Sequence, residues 1–426
     1  MGVTAPLSPA PHVVILGCGF GGLAAAKTFA GEDVRVTLID RENHHLFQPL
    51  LYQVATAGLA SVAIAAPIRH IFRRQRNVTT LLAEARAVDL AGKRVVLDDG
   101  AALAYDYLIV ATGATHSYFG HDEWARFAPG LKTLDDAMEI RRQILLAYER
   151  AERATDPAAQ RRLLDFVVVG GGATGVELAG TLAEIARHTL RDEFRRIDSR
   201  TAHVTLIEAT RRVLPTYPEE LSEKARRQLE RLGVEVRTET RVTRIDDDGV
   251  WLGDQRLAAG TVVWAAGIAA SPLARTLGVP LDRAGRVAVG PDLSVPDHPH
   301  AFVIGDLATV ASGGKPVPGI APAAKQMGRR AARNILARIA GRPGRAFRYI
   351  DYGSLATIGR NSGIAVIGPF RFWGLPAWLF WLFVHIFFLI GFRNRLMVFA
   401  DWAWSYLTFA RVARIVMTGE SHKASE

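Results

Sequence analysis

Two stretches of this chain have the residue types and spacing to hold a dinucleotide. His12-Val-Val-Ile-Leu-Gly-Cys-Gly-Phe-Gly-Gly22 and Asp165-Phe-Val-Val-Val-Gly-Gly-Gly-Ala-Thr-Gly175 each put an apolar run before a Gly-x-Gly-x-x-Gly turn, and a helical pattern of small residues follows. Gly17 and Gly170 permit the tight bend, Gly19 and Gly172 let the backbone approach a pyrophosphate, and Gly22 and Gly175 let the helix close on the strand. The helix start then presents unpaired N–H groups and a positive dipole end to the phosphates. Each unit continues into a second strand with an acid at its end, Asp40 after Val34–Ile39 and Glu208 after His203–Ile207. A carboxylate there accepts hydrogen bonds from ribose hydroxyls and repels a 2′-phosphate, which leans toward NADH over NADPH. Arg211 and Arg212 stand close enough in sequence to Glu208 to receive a phosphate instead. Asp40 follows Gly22 at the usual spacing, whereas the longer gap from Gly175 to Glu208 predicts an extended helical crossover through residues 187–200.

The elements that must position these turns are strands of a parallel sheet. Tyr105–Gly113 reads as a strand ending in Ala-Thr-Gly, with Thr112 and Gly113 at its tip, and Thr261–Gly267 is its counterpart in the second unit, ending at Gly267. Ala301-Phe-Val-Ile-Gly-Asp306 ends in Gly305-Asp306. A carboxylate behind a glycine at a strand end suits the ribityl hydroxyls of a flavin; the plainer reading of Asp306 is a helix N-cap. Glu177, just past the third glycine of the second fingerprint, is expected in the first helical turn, where the dipole favours its charge.

Composition narrows the chemistry. The chain has 426 residues, enough for two or three domains, and its 49% hydrophobic and 22% charged content excludes a disordered or fibrous protein. A single cysteine, Cys18, excludes an intrachain disulfide, a Cys-x-x-Cys redox pair and a cysteine-built metal centre, so redox chemistry must reside in a borrowed cofactor. No metal ligand set is legible. The net charge of +10 is concentrated at the end: residues 341–426 carry ten Lys/Arg against four Asp/Glu. The same segment is the most hydrophobic, which favours an anionic membrane surface over nucleic acid. Residues 1–11 carry no charged n-region and read as a disordered lead.

Phe372–Phe392 contains 21 residues without a formal charge. Gly374 and Pro376 suit a helix start, leaving about 15 residues before Gly391, or roughly 22 Å at 1.5 Å per residue, short of the ~30 Å hydrocarbon core. Trp373, Trp378 and Trp381 prefer the membrane interface, and His385 in mid-run must pair, face a substrate path or stay near water. Asn394–Met417 reads as amphipathic, with Asn394, Asp401, Ser405 and Thr408 in one arc and Trp402, Leu407 and Phe409 elsewhere. The pair reads as a helical hairpin lying in the membrane surface; the alternative cover for its apolar face is a second copy of the chain.

With these residues in view, the chain resembles the two-dinucleotide-domain flavoproteins and, among them, the type II NADH:quinone oxidoreductases. The most specific text is His44-His-Leu-Phe-Gln-Pro-Leu-Leu-Tyr-Gln-Val-Ala-Thr56, then Ala66-Pro-Ile-Arg69 and Gly319-Ile-Ala-Pro-Ala-Ala-Lys-Gln-Met-Gly328. Ala321-Pro322 departs from the Ala-Gln of many members, so the role of that amide does not carry over. The resemblance implies an α/β fold with two Rossmann-like domains, the FAD domain split by an inserted NAD domain, plus a C-terminal membrane anchor. The expected boundaries are the first FAD-binding segment at 12–120, a helical connection at 121–160, NADH binding at 161–280, the second FAD-binding segment at 281–370 and the anchor at 371–426. It also implies non-covalent FAD, NADH as donor, ubiquinone or menaquinone as acceptor, electron transfer without proton pumping, and residence at the cytoplasmic face of the cell's inner membrane. Glu177 is then expected in a positioning or proton-relay role, with Lys325 and Gln326 as polar candidates on the quinone side. Two readings compete: a soluble NADH reductase of ferredoxin or rubredoxin type, which the Trp-rich tail disfavours, and a slow NADH-sensing flavoprotein at a membrane.

Overall fold

The computed structural model describes residues 10–411 and 413–416. Nine residues of the expected N-terminal lead, and the end of the expected amphipathic segment with the tail beyond it, therefore lie outside the described residues. The chain divides into two compact units, one formed by residues up to His45 with Ala66–Thr115 and Ile268–Asp351, the other by Leu46–Ala65, His116–Gly267 and the stretch from Tyr352 onward.

In the first unit six strands form one sheet in the order Ser294–Val295, His298–Val303, Tyr107–Val110, His12–Leu16, Arg35–Asp40 and Val78–Leu82. All neighbours are parallel except the first pair. His12–Leu16 is central and buried along its length, which is why it reads as an unbroken apolar run rather than an alternating one. The helix Phe20–Thr28 covers it and packs on the long helix Ala321–Ile339. That crossing is close because two glycines meet there: a Cβ on Gly328 would stand 2.1 Å from the Gly21 carbonyl oxygen.

The second unit repeats the pattern with four parallel strands, in the order Val234–Arg237, His203–Ile207, Asp165–Val169 and Thr261–Trp264. The register is the same in both units. Leu16 pairs with Ile39 and Val169 with Ile207, so Asp40 and Glu208 each stand one residue past the pair that closes the turn. The extended crossover to Glu208 is only partly helical. Ala173–Glu184 runs into a single π-helical stretch, Ile185–Thr189, and the chain then reaches the next strand through turns and the short 3₁₀ segment Ser199–Thr201.

The two units divide the chain differently from the expected boundaries, and residues 116–120, expected with the first FAD-binding segment, fall in the second unit. Leu46–Ala65 joins the second unit, because Leu51–Ala55 packs on both Leu134–Arg153 and Ala173–Glu184. Residues 352–370, expected with the FAD half, also join it: the strand Ser354–Gly359 lies on Ala173–Glu184, where Gly180 leaves no room for a Cβ, which would stand 1.7 Å from the Ile358 carbonyl oxygen. Residues 268–280 go to the first unit, where the Val88 amide donates to the Thr276 hydroxyl at 3.2 Å.

The tail begins with a three-stranded antiparallel sheet, Ser354–Gly359, Ser362–Ile367 and Phe370–Trp373, and continues as the helices Leu375–Phe388 and Phe392–Thr408. Among the described residues no helix is long and apolar enough to cross a membrane.

Candidate functional site

The turn of the first unit is built by backbone contact. Gly17 has φ +93°, and a Cβ on Gly22 would stand 1.8 Å from the Gly17 carbonyl oxygen, so the helix can lie on the turn only with glycine at that position. Cys18 donates its amide to Asp40 Oδ2 at 2.5 Å, and Glu42 donates to Oδ1 at 2.8 Å. Burial pushes the Asp40 carboxyl up against these two amides. The Cys18 side chain is 1% exposed and burial drives its thiol far above the usual range, which makes it a packing residue rather than a nucleophile.

Around this turn lie the other residues expected to hold a flavin. Where a Cβ would stand on Gly19 or Gly113 there is no atom within 4 Å, and the Thr112 hydroxyl is buried with no partner among the described residues. Gly305, with φ +71°, and Asp306 line a cavity of about 150 Å³ together with Ala114, Gly319 and Met327. An open backbone face over a helix start, a carboxylate at the end of the second strand and a further strand-end carboxylate lining a cavity form a donor and acceptor set that fits a flavin dinucleotide.

The second unit reproduces the turn with one exchange. Gly170 has φ +112°, and a Cβ on Gly175 would stand 1.8 Å from its carbonyl oxygen. Glu208 Oε2 accepts the Gly171 amide at 2.6 Å, and Oε1 accepts the Thr210 amide at 2.7 Å. Glutamate is one methylene longer than Asp40, and the middle residue of the turn is correspondingly smaller: a Cβ on Gly171 would stand 2.9 Å from Glu208 Oε2. Gly172 is open, as Gly19 is. Gly267 serves packing, since a Cβ there would stand 2.6 Å from the Phe119 ring.

Glu177 departs from expectation. It lies in the second turn of the helix Ala173–Glu184, not the first, and is 9% exposed. Burial pushes its carboxyl up to about 8, outweighing the amide of Thr357, which reaches Oε1 at 3.5 Å. The indole of Trp381 also favours the ionised form, although its buried N–H finds no acceptor in good hydrogen-bonding geometry. The dipole argument fails because it applies to the exposed first turn, whereas the second turn is covered by the strand Ser354–Gly359.

Trp381 is the centre of a cluster that the sequence did not suggest. It stacks on His385 at 4.0 Å and lies 5.5 Å from Trp402 and 6.5 Å from Tyr52. Trp402 donates its indole N–H to Gln53 Oε1 at 2.7 Å, and His385 Nδ1 lies 2.7 Å from the Trp381 carbonyl oxygen. Burial holds the imidazole neutral, with its pKa lowered to about 4. Tyr52 and Gln53 fall inside the family-like stretch His44–Thr56. Trp381 carried a signal too, but one that pointed to a membrane interface.

Lys325 and Gln326, adjacent in sequence, do different things. The Lys325 ammonium lies 4.9 Å over the Phe20 ring, and burial, reinforced by Arg329 and Lys27, brings it down to about 8. Gln326 is a clasp: its Nε2 donates to the Ile350 carbonyl and its Oε1 accepts the Ile350 amide, both at 2.9 Å. Among the described residues no group of His, Cys, Asp and Glu could hold a metal ion.

Residues 11–328 match the pyridine nucleotide-disulphide oxidoreductase family, and residues 352–411 match the NDH2 C-terminal domain. The type II NADH:quinone oxidoreductase Ndh of Mycobacterium tuberculosis is 47% identical over 415 residues, 94% of this chain and 89% of that one. The chain belongs to the type II NADH:quinone oxidoreductase family. A family member from Haemophilus influenzae is 32% identical over 82% of this chain and 85% of its own. In fold, the chain matches the structure of NDH2 from Plasmodium falciparum in complex with NADH, with a TM-score of 0.87, 21% identity and coverage of 96% of this chain and 100% of that one.

The buried Glu177 makes a pH-dependent prediction. Its folded value of about 8 exceeds the ordinary 4.5, so between these values the folded chain holds a proton that the unfolded chain has lost. The stability this contributes is complete below about pH 4.5 and is lost as pH rises toward 8. Glu177→Gln is neutral throughout, so its stability relative to the parent should improve from pH 5 to pH 8 at about 1.4 kcal/mol per unit at most. Urea midpoints in detergent at both pH values check this. An equal difference at both would mean the carboxyl is not held protonated.

Proposed function

We propose that this chain oxidises NADH at the second unit and reduces a membrane quinone, using FAD bound non-covalently in the first. The observation that carries this reading is the duplicated turn, with each acid closing its own Gly-rich loop through a backbone amide, Asp40 on Cys18 and Glu208 on Gly171. When bound, FAD would supply the two-electron chemistry that links NADH oxidation to quinone reduction. No proton pumping belongs to this reading.

The protein's own contribution is to bind, orient and supply protons. Gly17, Gly19 and Gly22 with Asp40 cradle the FAD phosphates and ribose, and Thr112, Gly113, Gly305 and Asp306 line the rest of that site. Gly170, Gly172 and Gly175 with Glu208 hold NADH. Glu177, protonated near neutral pH, stores a proton beside Trp381 and Tyr52. Lys325, brought down to about 8 by burial, is a second candidate proton donor, and Gln326 holds the Ile350 backbone.

The tail seats the enzyme on the bilayer surface at the cytoplasmic face. Its helix of 14 residues spans roughly 21 Å, short of the hydrocarbon core. The helix Phe392–Thr408 turns Asn394, Val398, Asp401 and Ser405 inward, while Phe392, Phe399 and Leu407 are exposed at 81%, 59% and 77%. On the preceding helix Leu379, Phe383 and Phe387 are exposed too. An apolar face turned outward beside Arg371, Arg393 and Arg395 suits lipid tails under anionic headgroups.

Anaerobic addition of NADH to the detergent-solubilised protein should bleach a visible flavin spectrum, and a short-chain quinone should restore it. Bleaching without recovery would move the acceptor to a protein or another small molecule. No chromophore in folded, unstripped protein would overturn the FAD assignment.

The anchor is tested by Phe383→Ser, Phe387→Ser and Leu407→Ser together. Removing the tail would be a poorer test, because Ala377 and Trp381 are buried. Each exposed side chain is worth about 1.5–3 kcal/mol when buried, so co-sedimentation with phosphatidylglycerol vesicles should fall at least tenfold while flavin content is kept. Unchanged sedimentation with a shift from dimer to monomer would assign this face to a second copy of the chain.

A further inference from the structure

The groove beyond Glu208 contains a second carboxylate that bears on cofactor choice. A cavity of about 620 Å³ is lined by Arg211, Arg212, Arg226, Arg227 and Thr238 together with Glu219, Glu220 and Glu223. Arg211 and Arg212 follow Glu208 by three and four residues, the region where a nearby arginine receives a 2′-phosphate in NADP-binding relatives of this fold. Both are already engaged. Arg211 Nη2 meets Glu219 Oε1 at 2.7 Å, and Arg212 Nη1 lies 3.7 Å from Oε2 of the same carboxylate. Arg212 is held further by the Pro215 carbonyl, to which its Nη2 donates at 3.2 Å. The remaining two arginines are tied elsewhere, each to Glu223.

Glu219 is in the first turn of the helix Glu219–Arg231, whose dipole supports a carboxylate there. Glu220, its neighbour, lies 3.6 Å from the Lys224 ammonium, with Glu220 at i and Lys224 at i+4. The two acids thus lie side by side on one helix, but only Glu219 meets the arginines that follow the ribose-binding acid.

We infer that Glu219 is a specificity-determining residue: by neutralising Arg211 and Arg212 together it removes the cationic partner that a 2′-phosphate would need, and so favours NADH from outside the ribose contact itself. This rests on the reading of Glu208 as the ribose acid of the NADH site. Glu208 excludes the phosphate by repulsion, and Glu219 withholds the compensating charge. The pair is open to solvent, with Arg211 and Glu219 side chains 71% and 68% exposed, so the effect is modest and screened by salt.

The test uses the full-length holoenzyme with 2′,5′-ADP and 5′-AMP as competitors of NADH. Glu219→Gln should tighten inhibition by 2′,5′-ADP about three- to fivefold at low salt and leave 5′-AMP unchanged, and the gain should shrink toward unity in 0.5 M salt. Glu220→Gln removes the same charge from the same helix without touching Arg211 or Arg212 and should change neither. Adding Arg211→Ala and Arg212→Ala together to the Glu219→Gln variant should cancel the gain. Equal gains in both single variants, or none in Glu219→Gln, overturn the inference. If 5′-AMP fails to compete with NADH in the parent enzyme, the placing of the NADH site beside Glu208 is what falls.

Discussion

The contact on which the site depends is one of backbone against backbone. In each unit the third glycine of the turn lies where a Cβ would overlap the carbonyl oxygen of the first, at 1.8 Å. Because the helix can settle that low on its strand, its first amides face open space instead of a neighbouring side chain, and a pyrophosphate can reach them. The acid of the second strand then secures the loop from the other side. Asp40 and Glu208 occupy the same register position and accept the amide of the middle turn residue. Where the acid is long, that residue is glycine; where the acid is short, Cys18 fits. Acid length and turn side chain thus share the same space.

The tail turns polar as well as apolar groups inward: Ala377, Trp381, Leu389 and Val398 are buried, and polar contacts lie beside them. On a surface helix of a soluble domain the polar stripe meets water. Here Asp401 and Ser405 turn inward, where the Ser405 carbonyl receives an Arg360 guanidinium that also lies over Tyr406 at 4.2 Å and Phe409 at 3.9 Å. Further on, Arg411 meets Glu184 at 3.5 Å and donates to the Thr56 carbonyl at 3.2 Å. Polar contacts and the buried Ala377, Trp381 and Val398 together fasten the tail to its own unit, while Phe392, Phe399 and Leu407 remain exposed.

What could be read in advance was whatever depends on local pattern. Apolar runs followed by Gly-x-Gly-x-x-Gly specify strand, turn and helix through residues close in sequence, and both turns, both strand-end acids and the early helix start at Gly374-Leu-Pro376 are in the structure. The short reach of the 14-residue helix was legible by the same arithmetic. Boundaries were not, because they follow long-range packing. Nothing within residues 46–65 or 352–370 announces that both lie on Ala173–Glu184; the closest hint is Gly180, a glycine inside a helix, whose use appears only once Ile358 is seen against it.

Glu177 shows why a local rule fails at the point where chemistry matters. Its sequence position invites the dipole argument, in which a carboxylate near a helix start is charged and content. That effect is worth only about 0.3–1 kcal/mol at an exposed terminus, whereas full desolvation of a carboxyl moves its pKa by as much as 3–5 units, or roughly 4–7 kcal/mol. Burial therefore decides, outweighing the Thr357 amide and the Trp381 indole, and it comes from an element distant in sequence, the strand Ser354–Gly359 packed on this helix. The tail brings Trp381 inward near Glu177, where its indole works against the effect of burial. A carboxyl that is neutral at pH 7 and titrates near 8 can give up a proton and take it back within the physiological range, which an ordinary glutamate on an exposed first turn could not do.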